Sequence, residues 1–173
     1  MLIPRHAAAL LCAATLFGCN ATEPTSGIPE PRLDVADNSS GPSASGHANF
    51  MNAFGELVRR SFHAREMKDG TVEGSFVQHN AATGVMIAGD IDCLQIGPTP
   101  NQAAMSGPIR EHSADPTQIG RTVIFRVGDN GEGSNDPPDM ISPLSRPGVT
   151  GDCRTFVNPI FTPIESGNIQ VKP

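Results

Sequence analysis

The chain has 173 residues, and its 18 acidic side chains outnumber 12 Lys and Arg for a formal net charge of −6. That acidity, with no basic patch, argues against nucleic acid as a partner. The absence of Trp and Tyr weakens the case for an aromatic-lined ligand pocket.

The N-terminus reads MLIPRHAAALLCAATLFGCN. Arg5 and His6 precede an apolar run from Ala7 to Phe17, shorter than the roughly 20 residues needed to span a bilayer. This is the form of a secretory signal peptide. Its end, Leu16-Phe17-Gly18-Cys19, resembles the bacterial lipobox, in which the cysteine is lipidated and becomes the first mature residue. Phe17 is bulkier than the residue usual there. Residues 1–18 are therefore expected to be removed, Cys12 with them, and Cys19 to carry lipid. Several acyl chains hold a protein firmly to a membrane where one does not. Asn20 after the cysteine resembles the outer-membrane sorting class.

Residues 19–46 continue in Asn, Pro, Ser and Gly with little apolar content. Such a segment cannot bury enough surface to order itself and reads as a tether, with a strand near Arg32–Val35 as the weaker alternative. Residues 47–173 then form one domain, large enough for one core. Helical periodicity is nearly absent. The best helix candidate, Asn52–Arg60, is short and runs into a strand-like segment. Many short strands with Gly/Pro turns predict an all-β fold.

The first strand falls near Ala48–Ala53. The next segment, LVRRSFHAREMKDGTVEGSFVQH, holds the strongest local signal, Asp69-Gly70 between alternating runs. A two-residue loop would set Glu66 against Glu73. A three-residue loop, Lys68-Asp69-Gly70, with Gly70 left-handed, instead sets Phe62 opposite Phe76, Ala64 opposite Gly74 and Arg65 opposite Glu73. The run Gly84–Ile96 alternates, with Val85, Ile87, Ile91 and Cys93 on the core face and Asp90 and Asp92 on the other. A strand near Ala103–Ile109 is followed by Arg121–Gly128, with Val123, Phe125 and Val127 on one face. Met140–Ser142 and Asn168–Val171 complete about eight strands in sequential order. A meander of that count closes into a single small antiparallel β-barrel and removes its edges; a β-sandwich is the alternative.

Beyond Cys19, only Cys93 and Cys153 remain. An exported chain favours their pairing, which would pin the Pro-rich stretch 143–163 to the barrel.

Motifs for nucleophilic hydrolysis, zinc proteolysis or nucleotide binding are absent. Four histidines lie beyond the leader: His47, His63, His79 and His112. A metal site among them is conceivable, but solvated surface positions are expected. Asp90 and Asp92 form an i, i+2 carboxylate pair suited to acid/base work, with no third partner visible. The loop DNGEGSNDPPDMIS (129–142) is rich in oxygen ligands. Its spacing fails the EF-hand pattern, since Gly131, Gly133, Pro137 and Met140 stand where ligands belong. Asp129, Glu132, Asp136 and Asp139 remain candidates for an irregular calcium site. A turn between two strands accounts equally for the composition and is preferred.

A set of motifs also resembles a family. Ser45-Gly46-His47, SFHAR (61–65), DGTVEGSF (69–76), IAGDIDCLQI (87–96), FRVGDNGEG (125–133), a late cysteine and GNIQV (167–171) are similar to secreted bacterial domains of the post-COAP type. The resemblance covers most of 45–173 and is poorest at 97–119. It implies a compact β-domain with no established catalytic residues. The resulting expectation is a non-enzymatic envelope lipoprotein at the outer membrane or cell surface, serving as a binding or structural module for an extracytoplasmic protein or small ligand. A barrel holding a small apolar ligand is the second reading, and a hydrolase or isomerase the third. The barrel interior discriminates: a filled core of Phe, Val and Ile excludes the second, and an open cavity with inward Asp or His revives the second and third. Lipidation has a direct test. Fatty-acid labelling of the expressed chain is expected to be lost in Cys19→Ala, and labelling that persists refutes the lipobox.

Overall fold

The computed structural model describes residues 41–133, 135–145, 152–155 and 161–173. The expected leader at 1–18, Cys19 and the alternative strand at 32–35 lie outside them. The fold is all-β and antiparallel. Ten strands run in the order β1 (Ser43–Met51), β2 (Leu57–Glu66), β3 (Val72–Asn80), β4 (Met86–Asp90), β5 (Cys93–Ile96), β6 (Gln102–His112), β7 (Thr122–Gly128), β8 (Met140–Ile141), β9 (Thr162–Pro163) and β10 (Ser166–Lys172). Neighbours in the sheet follow β10-β1-β2-β3-β4-β6-β7-β8-β9, with β5 also on β6. This is the meander, curled into a barrel-like half-turn. The count exceeds eight because one expected strand is broken in two and β9 is added. β1 begins at Ser43, inside the stretch read as tether. The helix candidate Asn52–Arg60 is instead a turn and the start of β2. Asn52 Oδ1 accepts the Phe54 and Glu56 amides, which closes the turn without a helix.

The β2–β3 hairpin has the predicted register: Phe62 faces Phe76, Ala64 faces Gly74 and Arg65 faces Glu73. Met67 and Thr71 close the three-residue loop by a backbone hydrogen bond of 2.7 Å, and Gly70 sits at φ 80°. Phe62 and Phe76 then meet Phe125 of β7 edge-to-face, with ring centroids 5.6 and 5.9 Å apart. Such pairs contribute about 1 kcal/mol each beyond their burial. The edge of the Phe76 ring lies over Gly89, where an added Cβ would sit 2.5 Å from it.

The run 84–96 does not form one strand. The chain leaves β4 after Asp90, and Ile91 donates its amide to Gly74 O while Asp92 donates to Ser106 O. A register shift at Ala88/Gly89 bends the β4–β6 ladder. The inward parity therefore changes: Ile91 and Leu94 are buried in the main core, and Cys93 turns to the other face. There it joins a second cluster with Ala104, Ile124 and Cys153. The expected core placement of Cys93 is thus corrected by the bend, which lets β4 and β5 share the long strand β6.

Cys93 and Cys153 are bridged, 60 residues apart, with Cα atoms 5.9 Å from one another. The bridge holds the short 3-10 turn Cys153–Thr155 against the outer face of the sheet.

Among the described residues the far edge of β10 has no strand partner. Its Ile169 and Val171 amides donate to side-chain carboxylates instead, Asp139 Oδ2 at 2.8 Å and Asp129 Oδ2 at 3.0 Å. The Glu165 amide donates to Asn49 O at 2.7 Å and the Ile164 amide to Asp139 O at 2.9 Å. These bonds span the seam between the last strands and β1.

Chain entropy assigns the bridge about 4 kcal/mol. Cys153→Ser is expected to lower the unfolding free energy by about that amount in urea denaturation, and an unchanged midpoint would show that the bridge constrains nothing.

Candidate functional site

Inward parity on β2 places Val58, Arg60, Phe62 and Ala64 in the interior, all buried. Arg60 stands directly opposite Gln78 of β3. The guanidinium is 1 % exposed. Its Nε and Nη2 donate to Gln78 Oε1 at 3.0 and 2.5 Å. Its Nη1 donates to Ser142 O at 2.8 Å. Phe50 and Phe125 flank it, with ring centroids 5.2 and 4.8 Å from Cζ. Cation–π attraction at such desolvated positions is worth about 2 kcal/mol.

Among the described residues no carboxylate pairs with this charge. Among the described residues one ion pair occurs, Arg110–Asp90 at 3.1 Å, and it is on the surface. Burial pushes the Arg60 guanidinium down to about 9, which still leaves it a cation at neutral pH. A buried, unpaired charge is costly, and a core built only for stability would carry an apolar residue here.

Arg60 lines a cavity of about 230 Å³ at the end of the sheet where the β1–β2, β3–β4 and β6–β7 connections lie. Phe50, Val58, Ile87, Ile109, Val123 and Leu144 form its apolar wall. The aromatic and aliphatic packing around Phe62, Phe76 and Phe125 fills the interior beyond it. At the mouth stands Phe54, 87 % exposed on the β1–β2 turn.

The polar groups of this end are cationic or neutral: Arg60, Arg121, His112, Gln118 and the amides Asn52, Gln78 and Asn80. His112 Nδ1 accepts the Asp115 amide at 3.0 Å, so the ring proton resides on Nε2 and that nitrogen is a donor. Two carboxylates lie behind this lining. Glu56 accepts from Asn80 and Asn52, and these bonds hold its carboxyl below the usual range. Asp115 accepts from Thr117 and Gln118, which holds it at about 2.

The sequence-derived candidates fall elsewhere. His47, His63 and His79 are exposed, as expected for solvated histidines; His112 departs from that expectation by lining the cavity. His63 lies opposite Ser75. Asp90 is taken by Arg110, and the bend at Ile91 separates it from exposed Asp92. In the acidic loop, Asp129 Oδ1 accepts the Gly131 amide and Asp139 Oδ1 the Asn130 amide, besides their bonds to β10. Glu132 accepts from Asn168 and Gln170, and Asp136 from the Gly133 amide. The four carboxylates thus serve as internal acceptors, which accounts for the acid-rich composition of this turn. The one cluster of metal-ligating atoms among the described residues is Cys93, Asp152 and Cys153, and its sulfurs are joined to each other rather than present as thiolates.

Arg60 escaped the motif search because motifs look for acids, histidines and nucleophiles. The signal was present in the hairpin register. If Phe62 faces inward, Arg60 does too, and Gln78 follows from Phe76.

Asp139 is 5 % exposed and holds two backbone donors. Asp139→Ala strands both and is expected to cost about 2–4 kcal/mol in urea unfolding, whereas Glu132→Ala in the same loop leaves the midpoint unchanged; equal effects would show that Asp139 has no special part in the seam. Comparison with protein-family models, with curated proteins and with solved structures finds no match for this chain.

Proposed function

We propose that the chain is a binding module that takes a small, largely apolar ligand into the end cavity, displayed in the cell envelope on an N-terminal lipid anchor. The single observation behind the reading is the 230 Å³ cavity itself. Protein interiors are normally close-packed, and here the packed part is the cluster around Phe62, Phe76 and Phe125. A cavity of comparable volume lined by apolar side chains is known to hold small hydrocarbons. Here the walls are mainly aliphatic and aromatic, and polar side chains, Arg60, Gln78 and His112 among them, share the lining. That is the general form of a small-molecule site. The anchor follows from the leader sequence and Cys19, which supports placement outside the cytoplasm, where the Cys93–Cys153 bridge would persist.

The reading does not need catalysis. The carboxylates near the cavity, Glu56 and Asp115, are committed to side-chain donors, and no nucleophile lines it.

The test is a titration of the full-length protein with linear alcohols from hexanol to decanol, followed by thermal unfolding. Saturating alcohol, at about 100 times its Kd, stabilises the fold by about 2.7 kcal/mol. Ile87→Trp, which fills the wall, is expected to remove that shift while leaving the far-ultraviolet circular dichroism unchanged. A wild-type protein that shows no saturable shift with any of these alcohols overturns the proposal.

A further inference from the structure

Building on the reading of the cavity as a ligand site, we infer that its ligand is a monocarboxylate, an amphiphilic acid that enters head first and pairs its single negative charge with Arg60. The argument starts from what Arg60 lacks. A guanidinium has five N–H donors in a planar fork. Three are used, two on Gln78 Oε1 and one on Ser142 O. One N–H remains on each of Nη1 and Nη2. Phe50 and Phe125 lie against it, and these two N–H groups suit the in-plane pairing by which arginine takes a carboxylate.

The position opposite Arg60 sharpens the point. Gln78 is the cross-strand neighbour and already touches the guanidinium through one oxygen. Glutamate has the same shape and would supply a built-in counter-ion. A strut that only crossed the barrel would gain from that exchange. Glutamine keeps the charge fixed in place but unneutralised, which is what a site for an incoming anion requires. In a chain of net charge −6, the cavity lining includes Arg60, Arg121 and the His112 Nε2 donor and no carboxylate, the nearby Glu56 and Asp115 being held by side-chain donors.

Charge and size together narrow the ligand class. Arg60 is the buried cation of the lining, Arg121 being exposed, and one buried cation balances a single buried negative charge. A dianionic phosphate would leave one charge desolvated without a partner. The volume of about 230 Å³ has room for about eight groups the size of a water molecule. The apolar wall from Val58 to Leu144 takes a hydrocarbon body, and exposed Phe54 at the mouth takes its tail end. Acids of about eight to ten non-hydrogen atoms meet these limits.

The experiment compares octanoate with 1-octanol, equal in chain length and different in charge, by calorimetric titration of the full-length protein and of two variants. Wild-type protein is expected to bind octanoate at least about tenfold more tightly than octanol. Gln78→Glu neutralises Arg60 from within. It is expected to remove octanoate binding, to keep octanol within about threefold of wild type, and to leave the fold at least as stable. Arg60→Met, an apolar replacement of similar length, gives the same reversal of preference by a different route and covers the case in which Gln78→Glu does not fold. Octanol binding equal to or tighter than octanoate in the wild type overturns the inference and leaves the apolar cavity standing. So does an octanoate preference that survives in the folded variants. If neither compound binds, the cavity is not a ligand site and both readings fall.

Discussion

A sheet that curls but does not close leaves a strand with unpaired backbone groups at each edge, and the interior here depends on what the amides of one of them find. Here the edge belongs to β10, and its partners are the carboxylates of Asp129 and Asp139 rather than another strand. A carboxylate has two oxygens, so each of these side chains also holds an amide of its own loop. The loop is therefore shaped by the same atoms that secure the edge. β10 in turn pairs along β1, which brings the core residues Ile169 and Val171 into the interior. Without that edge there would be no enclosed interior and no cavity at its end.

The interior is uneven. Around the three phenylalanines it is packed as a core should be. Around Arg60 it keeps a cation with no opposite charge, restrained by one amide oxygen, one backbone carbonyl and two ring faces. These partners position the guanidinium well and neutralise it not at all. Natural cores seldom retain such an arrangement where an apolar residue would fit. Its location at the floor of a cavity links the energetic oddity to the geometric one.

Local signals in the sequence were enough for the all-β class and the central hairpin. Gly70 must accept a positive φ, and the facing pairs Phe62/Phe76 and Arg65/Glu73 agree only with one loop length. What reading along the chain missed has a common cause, namely bonds between residues far apart. Asp139 and Ile169 are 30 positions apart, and no periodicity marks a carboxylate that will hold a distant amide. From the sequence the acidic loop accordingly reads as a turn, with a weaker alternative as a calcium site, and the partners of its carboxylates on β10 are not foreseen. The bend at Ile91–Asp92 was hidden for a different reason. Alternation on both sides of it is clean, so the run looks continuous, and only the pairing of β4 and β5 with separate parts of β6 makes the break necessary. Arg60 lay between these cases. Its inward direction follows from the hairpin, while its lack of a counter-ion is a property of the whole interior.

The first of the described strands also matters mechanically. β1 is an inner strand, paired along Ser43–Met51 with β2 and along Ser43–Asn49 with β10. A pull on the chain ahead of it runs nearly parallel to both ladders. It loads their hydrogen bonds together, in shear, where an edge strand pulled sideways would lose them one by one. A domain hung by this end would resist tugging at its point of attachment better than at its other terminus, where β10 has a strand on one side and two carboxylates on the other.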